Sequence, residues 1–137
     1  MPQTADDFVE IQNLKARYCE TVDRGARDPE GLPIRLAEIF AEDAVGDYGT
    51  GLLEGRAAII EFLMTQICAP LDWLFHALHT PRIEIDGDNA AGHWTVIAQS
   101  RAIGTDSIET LIGRYQDSFR RTSSGWRIAS ICGRPDG

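Results

Sequence analysis

Several polar residues of the sequence lie among apolar neighbours, and they are of the types that move protons. Tyr18 and Asp23 fall within an apolar helical pattern, and His76 and His79 fall within an apolar, strand-like segment. A buried polar group needs a partner, because an unpaired one costs free energy. A histidine oriented by a carboxylate is a general base near neutral pH, and a tyrosine hydroxyl donates to a developing oxyanion. Together these residues indicate acid–base chemistry in a shared pocket.

Each of these residues also has a purely structural interpretation. Tyr18 can be a core tyrosine whose hydroxyl reaches the surface, and Asp23 can be a solvated acid beside Arg24. Both faces of the strand that carries His76 and His79 are apolar, so alternation leaves open which of the two enters a pocket. A lone histidine on such a strand can equally be a core residue whose hydrogen bonds are satisfied.

Further polar residues lie at or within the predicted strands. Tyr48 ends the first strand, just before a glycine-rich loop, whereas Tyr115 and Asp117 lie on the apolar face of a later strand. We expect Asp117 to be a strand-end acid paired with an arginine. We expect His93 to face outward or toward an interface.

Metal and cofactor sites are not indicated by the sequence. His76 and His79 are three residues apart in a strand, so their side chains tend to point to opposite faces, and no cysteine or glutamate completes a ligand set. No glycine-rich phosphate loop joins a strand to a helix, and no G-x-S-x-G motif is present. We therefore expect chemistry that uses no metal and no cofactor.

Helices come first in the predicted order of elements, and strands come last. The first helix is predicted from Thr4 to Arg24, because apolar residues recur there at three- and four-residue steps. A turn at Asp28-Pro29 starts a short second helix whose inward residues include Ile39 and Phe40. The remaining predicted elements are a strand over 44–48, a loop or hairpin over 49–55, a helix over 56–68, and strands over 73–80, 82–86, 91–103, 107–121 and 126–132, with a bend or bulge at Pro81.

This order predicts a single α+β domain over residues 1–137. Its architecture is a cone-shaped, curved antiparallel sheet with the N-terminal helices packed on the concave face. Alternation places Trp94 and Ser100 on the inward face of one long strand, and Tyr115 and Phe119 on the inward face of the next. A strongly bent sheet closed by a helix leaves a pocket, where these residues would contact a small molecule.

Composition and charge limit the class of partner. The 137 residues are 43% hydrophobic and 25% charged, with a net charge of −8, which is typical of a globular chain that binds neither nucleic acid nor an anionic membrane. No apolar run is long enough to span a bilayer, and the acidic N-terminus is unlike a signal peptide. Cys19, Cys68 and Cys132 are scattered, so we expect reduced thiols in a cytoplasmic protein.

Most of the chain resembles the SnoaL-like branch of the nuclear transport factor 2-like superfamily, whose members fold as a cystatin-like roll. The segments that carry the resemblance are ARYCETVDRG, LAEIFAEDAVGDYG, EGRAAIIEFL, FHALHTPRIEIDGDNAAGHW and GWRIASICGRPD. Within that group the chain is most similar to dehydratases such as scytalone dehydratase and bile-acid dehydratase. The fold hosts many functions, so the resemblance is more specific for the fold than for the reaction.

The resemblance implies roles for several of the polar residues. Asp23 stands at the position of the family's catalytic aspartate, and His76 stands at that of its catalytic histidine, in preference to His79. Tyr18 has the spacing to Asp23 that is seen in the bile-acid enzyme. Tyr48 matches a tyrosine that polarises the substrate carbonyl through water in scytalone dehydratase.

Some positions depart from the dehydratase pattern. Relative to scytalone dehydratase, Tyr115 replaces a pocket asparagine, Ser100 a second catalytic histidine, and Val22 a tyrosine. Relative to ketosteroid isomerase, Tyr48 occupies the position of the general-base aspartate, although Tyr18 matches the oxyanion-hole tyrosine. The resemblance therefore disfavours simple ketosteroid isomerisation and leaves the exact reaction open.

We expect an enzyme, a dehydratase of the lyase class or an isomerase, that acts on a hydrophobic cyclic or aromatic carbonyl compound. His76 would abstract a proton next to the carbonyl, and Asp23 would hold the imidazole. Tyr18 and Tyr48 would donate to the enolate oxygen. Two alternatives stay open: a non-catalytic ligand-binding protein or accessory subunit, resembling the small subunit of ring-hydroxylating dioxygenases, and a polyketide cyclase-like enzyme. Exposed apolar sheet surface also predicts a homo-oligomer, a dimer or else a trimer.

Overall fold

The computed structural model describes residues 5–136, so Thr4, the predicted start of the first helix, lies outside the described residues. The helices are α1 (Ala5–Gly25), α2 (Leu32–Ala37) and α3 (Arg56–Phe62), and α3 continues as a π-helical segment over Leu63–Cys68. The strands are β1 (Phe40–Asp47), β2 (Leu52–Glu54), β3 (Leu71–Asp86), β4 (Asn89–Ala102), β5 (Glu109–Thr122) and β6 (Gly125–Pro135). The predicted α+β class is confirmed. Within the described range, no helix has the length and apolar character needed to cross a membrane.

The six strands form one curved, unclosed sheet in the order β2-β1-β6-β5-β4-β3. Strands β3 to β6 form an antiparallel meander, and β1 and β2 form an antiparallel hairpin. Strands β1 and β6 pair in parallel, so the sheet is mixed, whereas the sequence predicted antiparallel pairing throughout. The difference arises because side-chain alternation reports which face of a strand is buried but not the direction of its neighbour.

Helix α1 packs its apolar stripe against the sheet and supplies the centre of the core. Ile11, Tyr18 and Val22 are at most 1% exposed, as their spacing along the helix predicts. The first turns of the helix are tied to β6, where Trp126 Nε1 donates to the Asp7 carboxylate at 3.2 Å. The last turns lie against β3. The helix therefore holds its C-terminal residues at a fixed place over the sheet.

The second helix is shorter than predicted. Helix α2 ends at Ala37, and Phe40 begins β1 rather than ending the helix. Ile39 and Phe40 are nevertheless buried, at 3% and 1% exposure. A short run of apolar residues fits a helix or a strand equally well, so the pattern identified the burial of these residues but not their element.

The predicted bulge at Pro81 is confirmed. The pairing of β3 with β4 shifts between His79 and Arg82, and Thr80 has a positive φ of 48°. Proline donates no hydrogen bond to a neighbouring strand, which is why it falls at such an irregularity. The stretch from Trp73 to His79 stays in register with β4, so regular alternation sets which of its side chains face the interior.

The three cysteines are free thiols. Burial raises the pKa of Cys19 to about 12 and that of Cys68 to about 11. Thiols with a raised pKa are poor nucleophiles, so these two side chains act as small core residues.

Candidate active site

Asp23 and His76 come into direct contact where the end of α1 meets β3. The Asp23 carboxylate accepts two hydrogen bonds from this histidine, one from Nδ1 at 2.6 Å and one from the backbone N–H at 3.0 Å. The side chains of Asp23 and His76 are 19% and 10% exposed. An ionised carboxylate only accepts, so Nδ1 carries the proton and Nε2 is the ring nitrogen that can accept one.

Strand alternation turns His76 rather than His79 toward the interior. Leu74, His76 and Leu78 share one face of β3, and His76 is paired with Ala98 of β4. His79 lies three residues further along β3 and is exposed. The contact with Asp23 therefore depends on two things: the length of α1 and the register of β3 with β4.

The chain has three tyrosines, and all of them meet in one cluster of Tyr18, Tyr48 and Tyr115. The hydroxyls of Tyr18 and Tyr48 are 2.8 Å apart, and the rings of Tyr18 and Tyr115 meet edge to face at 6.1 Å. Gly133 of β6 leaves room for two of the rings, because a Cβ there would lie 3.0 Å from Tyr115 and 3.6 Å from Tyr48. We call these three residues the tyrosine cluster.

Tyr18 and Tyr115 are buried and Tyr48 is half-buried, and this burial governs the electrostatics of the tyrosine cluster. Desolvation raises the pKa of all three phenols above the ordinary value of 10.0. The pKa of Tyr18 is raised further because its ionisation would be opposed by any charge on Tyr115 or Tyr48, whereas the hydrogen bond with Tyr18 lowers the pKa of Tyr48 and of Tyr115. The hydroxyls therefore stay protonated near neutral pH and can serve as hydrogen-bond donors.

A cavity of about 580 Å³ brings several of the predicted site residues together. His76, Tyr48, Tyr115 and Ser100 all line it. Most of the remaining wall is apolar and comes from β3 to β6 and the π-helical segment, with Ile67 as an example. Three charged residues, Glu109, Arg134 and Asp136, also border the cavity. The cavity therefore suits a small, mainly apolar molecule that carries one or two polar atoms.

The other predicted site residues lie outside this wall. Tyr18 is 1% exposed and reaches the site through its hydrogen bond with the cluster. Trp94 and Phe119, predicted to contact the substrate, pack edge to face at 5.9 Å, and Phe119 is 1% exposed. Asp23 and Trp94 border a second cleft of about 310 Å³ on the side of α1, which also reaches His76. The imidazole thus lies between two spaces.

A buried ion pair lies behind the tyrosine cluster, and the sequence pattern did not reveal it. Lys15 Nζ is 2.7 Å from Asp117 Oδ2, and the two side chains are 1% and 0% exposed. Asp117 therefore pairs with this lysine and not with an arginine as predicted. The available signal was the position of Lys15, which lies in the apolar stripe of α1, three residues before Tyr18. A lysine is almost never fully buried unless it is paired.

Burial is the main influence on the pKa of Asp117. Desolvation raises the pKa of this carboxyl, and the adjacent Lys15 ammonium lowers it by a smaller amount. The backbone N–H of Cys132 donates to Asp117 at 3.4 Å and also favours the charged form. The carboxylate is thus held on two sides in a place that solvent does not reach.

The arrangement offers a base, a carboxylate that orients it, and phenol donors at an apolar cavity. Such groups can remove a proton from carbon and stabilise the negative oxygen that forms. No group of three or more histidine, cysteine, aspartate or glutamate side chains is arranged to hold a metal ion within the described part of the chain.

The chain is similar to proteins of known family and structure. The sequence model of a family described as the SnoaL-like domain matches residues 3–131. The structure of a candidate aromatic ring hydroxylase from Novosphingobium aromaticivorans is 28% identical, with 98% of this chain and 92% of that chain covered and a TM-score of 0.83.

Two more distant structures share the fold. A nuclear transport factor 2-like superfamily protein from Salmonella enterica serovar Typhimurium is 18% identical over 98% of this chain and 94% of that chain, with a TM-score of 0.87. A candidate scytalone dehydratase from Novosphingobium aromaticivorans is 20% identical over 95% of this chain and 84% of that chain, with a TM-score of 0.82. The fold that the sequence resemblance implies is therefore confirmed.

Proposed function

The chain belongs to the SnoaL-like domain family, and we propose that it catalyses cofactor-independent acid–base chemistry on a small hydrophobic carbonyl compound. The reaction class is the elimination of water or an isomerisation. The observation that carries the proposal is the 2.6 Å contact between Asp23 and His76, with the imidazole at the wall of an apolar cavity. A carboxylate that holds one ring nitrogen of a histidine leaves the other nitrogen free to accept a proton from a bound molecule.

His76 is the base in this mechanism. Its Nδ1–H donates to Asp23, so Nε2 accepts the proton from the carbon next to the substrate carbonyl. The electrons of the broken C–H bond move into an enolate, whose oxygen takes the negative charge. Asp23 stabilises the imidazolium that forms and keeps the ring in one orientation. A positioned general base typically contributes about 10²–10⁴-fold in rate.

The tyrosine cluster supplies the donors for the enolate oxygen. Tyr48 and Tyr115 line the same cavity as His76, and their hydroxyls remain protonated because burial raises the pKa of both. Tyr18 holds Tyr48 in place through the hydrogen bond of 2.8 Å. One donor in an oxyanion hole typically contributes about 10²–10³-fold.

The second half of the reaction decides between its possible products. In a dehydration, the enolate re-forms the carbonyl and expels a hydroxyl from the β-carbon, and the imidazolium returns its proton to that hydroxyl to release water. In an isomerisation, the imidazolium delivers the proton to a different carbon. In a cyclisation, which the resemblance also allows, the enolate carbon attacks a second carbonyl of the same substrate, and the imidazolium protonates the alkoxide that forms.

The proton-abstraction step is testable without the natural substrate. Cyclohexanone, 2-cyclohexen-1-one and 1-tetralone are incubated with the protein in D₂O, and the loss of α-proton signals is followed by NMR. We expect the protein to accelerate exchange in at least one of these ketones. We expect His76→Gln to lower that acceleration by about 10²–10⁴-fold. The matched control is His79→Gln, which changes an exposed residue of the same strand. This variant should accelerate the exchange of ketone protons as much as the wild type does.

Equal exchange rates for His76→Gln and the wild type would remove His76 from the role of base. A second candidate function is a ligand-binding protein or an accessory subunit, which the family resemblance leaves open, and the 28% identity with a candidate aromatic ring hydroxylase supports a link to ring hydroxylation. In that case the ketones bind without exchange, and the native mass shows the chain associated with a larger, iron-bearing chain. A self-contained oligomer that exchanges ketone protons would exclude it.

The homo-oligomer stays a prediction. Phe75 and Ile112 lie on the face of the sheet opposite His76 and are 47% and 52% exposed. Trp73 stacks on Phe75 with the ring centroids 6.3 Å apart. Neighbouring exposed apolar side chains favour association. Light scattering of the purified protein measures the number of subunits.

A further inference from the structure

Lys15 is the only lysine of the chain, and it is buried against the tyrosine cluster. Its Nζ lies 3.4 Å from the ring centroid of Tyr115, 4.5 Å from that of Tyr18 and 5.6 Å from that of Trp94. An ammonium over the face of an aromatic ring is attracted by the electrons of that ring, most strongly where water is excluded. Nζ also lies 2.7 Å from Oδ2 of Asp117, which is its counter-ion.

Stability does not account for an ion pair at this place. Replacing a buried ion pair with well-packed apolar residues is often neutral or stabilising, because desolvation opposes the attraction between the charges. Both members of the pair are instead placed next to residues of the site. Lys15 precedes Tyr18 by three residues on α1, and Asp117 follows Tyr115 by two residues on the same face of β5.

We propose that Lys15 is a positioning residue that acts through Tyr115: its ammonium holds the phenol ring on the side away from the cavity and strengthens the hydroxyl as a donor to a negatively charged oxygen. The physical reason is that a positive charge on the ring face withdraws electron density from the phenol oxygen. The proposal rests on the proposed function, since it requires that the cavity binds an oxyanion. Its consequence is a preference for anionic ligands over neutral ligands of the same shape.

The charge of Asp117 opposes the effect of Lys15 on the phenol. Its negative charge is one of the causes that raise the pKa of Tyr115 and of Tyr48. In the proposal the ammonium, which lies 3.4 Å from the centre of the Tyr115 ring, has the larger effect on that hydroxyl. Asp117 then serves to keep the ammonium charged and in place.

The test compares two probes that differ in charge but hardly in shape. These are 4-nitrophenol, at a pH where it is ionised, and 4-nitrotoluene. Their dissociation constants are measured for the wild type, Lys15→Met, Tyr115→Phe and the double variant. The readout is the ratio of the two constants, which a loss of packing alone leaves unchanged because it weakens both ligands alike.

We expect the wild type to prefer the phenolate and Lys15→Met to lower that preference by about tenfold, as for loss of one nearby charge in a partly screened site. We expect Tyr115→Phe to lower it by a similar factor. Because Lys15 acts through Tyr115, the double variant should lose little more than either single variant, within about twofold, which is the signature of coupled residues.

An unchanged ratio in Lys15→Met would overturn the proposal, and so would fully independent effects of the two substitutions. A wild type without any preference for the phenolate also overturns it. In that case the ketone-exchange assay shows whether the proposed function fails too. Exchange that depends on His76 would support the proposed function even though the proposal for Lys15 has failed.

A second variant and a second measurement cover the case in which Lys15→Met does not fold. Lys15→Met combined with Asp117→Asn removes both charges and keeps the shape of the pair, and it should show the same loss of preference. In the wild type, lysine labelled with ¹⁵N gives a single side-chain signal, because the chain has one lysine. We expect this signal to move with 4-nitrophenolate and not with 4-nitrotoluene, and the opposite pattern would contradict the proposal.

Discussion

Of the side-chain pairs that join α1 to the sheet, Asp23–His76 and Lys15–Asp117 differ most clearly in their access to solvent. Asp23 and His76 are 19% and 10% exposed, and His76 borders the cavity that Tyr48 and Tyr115 also line. Lys15 and Asp117 are 1% and 0% exposed and lie among aromatic rings. The first pair has a ring nitrogen that can exchange a proton with a ligand. The second pair is almost fully buried, with only Lys15 bordering the smaller cleft, so it supplies a charge rather than exchanging a proton with a ligand.

The comparison shows how one helix serves two electrostatic purposes. Near its C-terminal end, α1 presents a carboxylate that is held by two hydrogen bonds and can stabilise a transient positive charge. Two turns earlier it presents an ammonium whose counter-ion is already in place. A residue that takes part in proton transfer needs access to a ligand, whereas one that sets a field acts most strongly where water is excluded.

The stability of the protein should depend far more on the Lys15–Asp117 pair than on the Asp23–His76 pair when one partner is lost. Lys15→Met leaves Asp117 buried without its cation, and we expect the free energy of unfolding to fall by about 3 kcal/mol. Urea denaturation followed by circular dichroism measures this change. The control is Lys15→Met combined with Asp117→Leu, which replaces the pair by apolar side chains and should return to within about 1 kcal/mol of the wild type. A Lys15→Met variant as stable as the wild type would show that solvent or another group compensates the charge of Asp117.

High pH should destabilise the protein through the tyrosine cluster, which lies between the two pairs. The raised pKa of each phenol means that the folded state keeps its protons while the unfolded state loses them above about pH 10. The unfolded state is therefore favoured as the pH rises, by up to about 1.4 kcal/mol per pH unit for each tyrosine.

Absorbance near the tyrosinate band measures this directly, because the chain has no tyrosine outside the cluster. We expect no tyrosinate signal from the folded protein as the pH passes through 10, and a signal that appears together with unfolding. Phenols that titrate at their ordinary pKa in the folded protein would show that water reaches the cluster.

The partly exposed pair should give the smallest change in stability and a clear change in chemistry. Asp23→Asn keeps an acceptor for the backbone N–H of His76, so we expect the free energy of unfolding to fall by only about 1 kcal/mol. The amide can hold the imidazole in the wrong tautomer, and ketone exchange should fall by about 10²-fold or more. Asp28→Asn, at an exposed acid of the same region, is the matched control. A stability loss without a loss of exchange would make Asp23 a structural residue.

The fold could be predicted from the sequence to the extent that it depends on periodicity. The stripe of α1 and the alternation in β3 to β5 are strong patterns, and the bulge at Pro81 follows from the missing N–H of proline. The parallel pairing of β1 with β6 and the strand assignment of Phe40 depend on contacts between distant segments. Neither the parallel pairing nor this assignment can be recognised from a local sequence pattern.

The site was predictable only in part, for a similar reason. The contact of Asp23 with His76 was expected from the family resemblance, because the residues alone left His79 as an alternative. Trp94 and Phe119 were expected at the cavity from alternation, which reports the inward face but not whether that position is filled by the core. Lys15 was overlooked because its partner is more than a hundred residues away in sequence.

The protonation pattern of the histidine rings shows whether His76 is held by Asp23 as a base. The chain has three histidines, so a long-range ¹H–¹⁵N NMR spectrum resolves each of them. We expect neutral His76 to carry its proton on Nδ1, toward Asp23, and the signal of its unprotonated Nε2 to shift when a ketone enters the cavity, while the signals of His79 stay unchanged. A proton on Nε2 of His76, or no response of that nitrogen to any ligand that binds, would contradict the account.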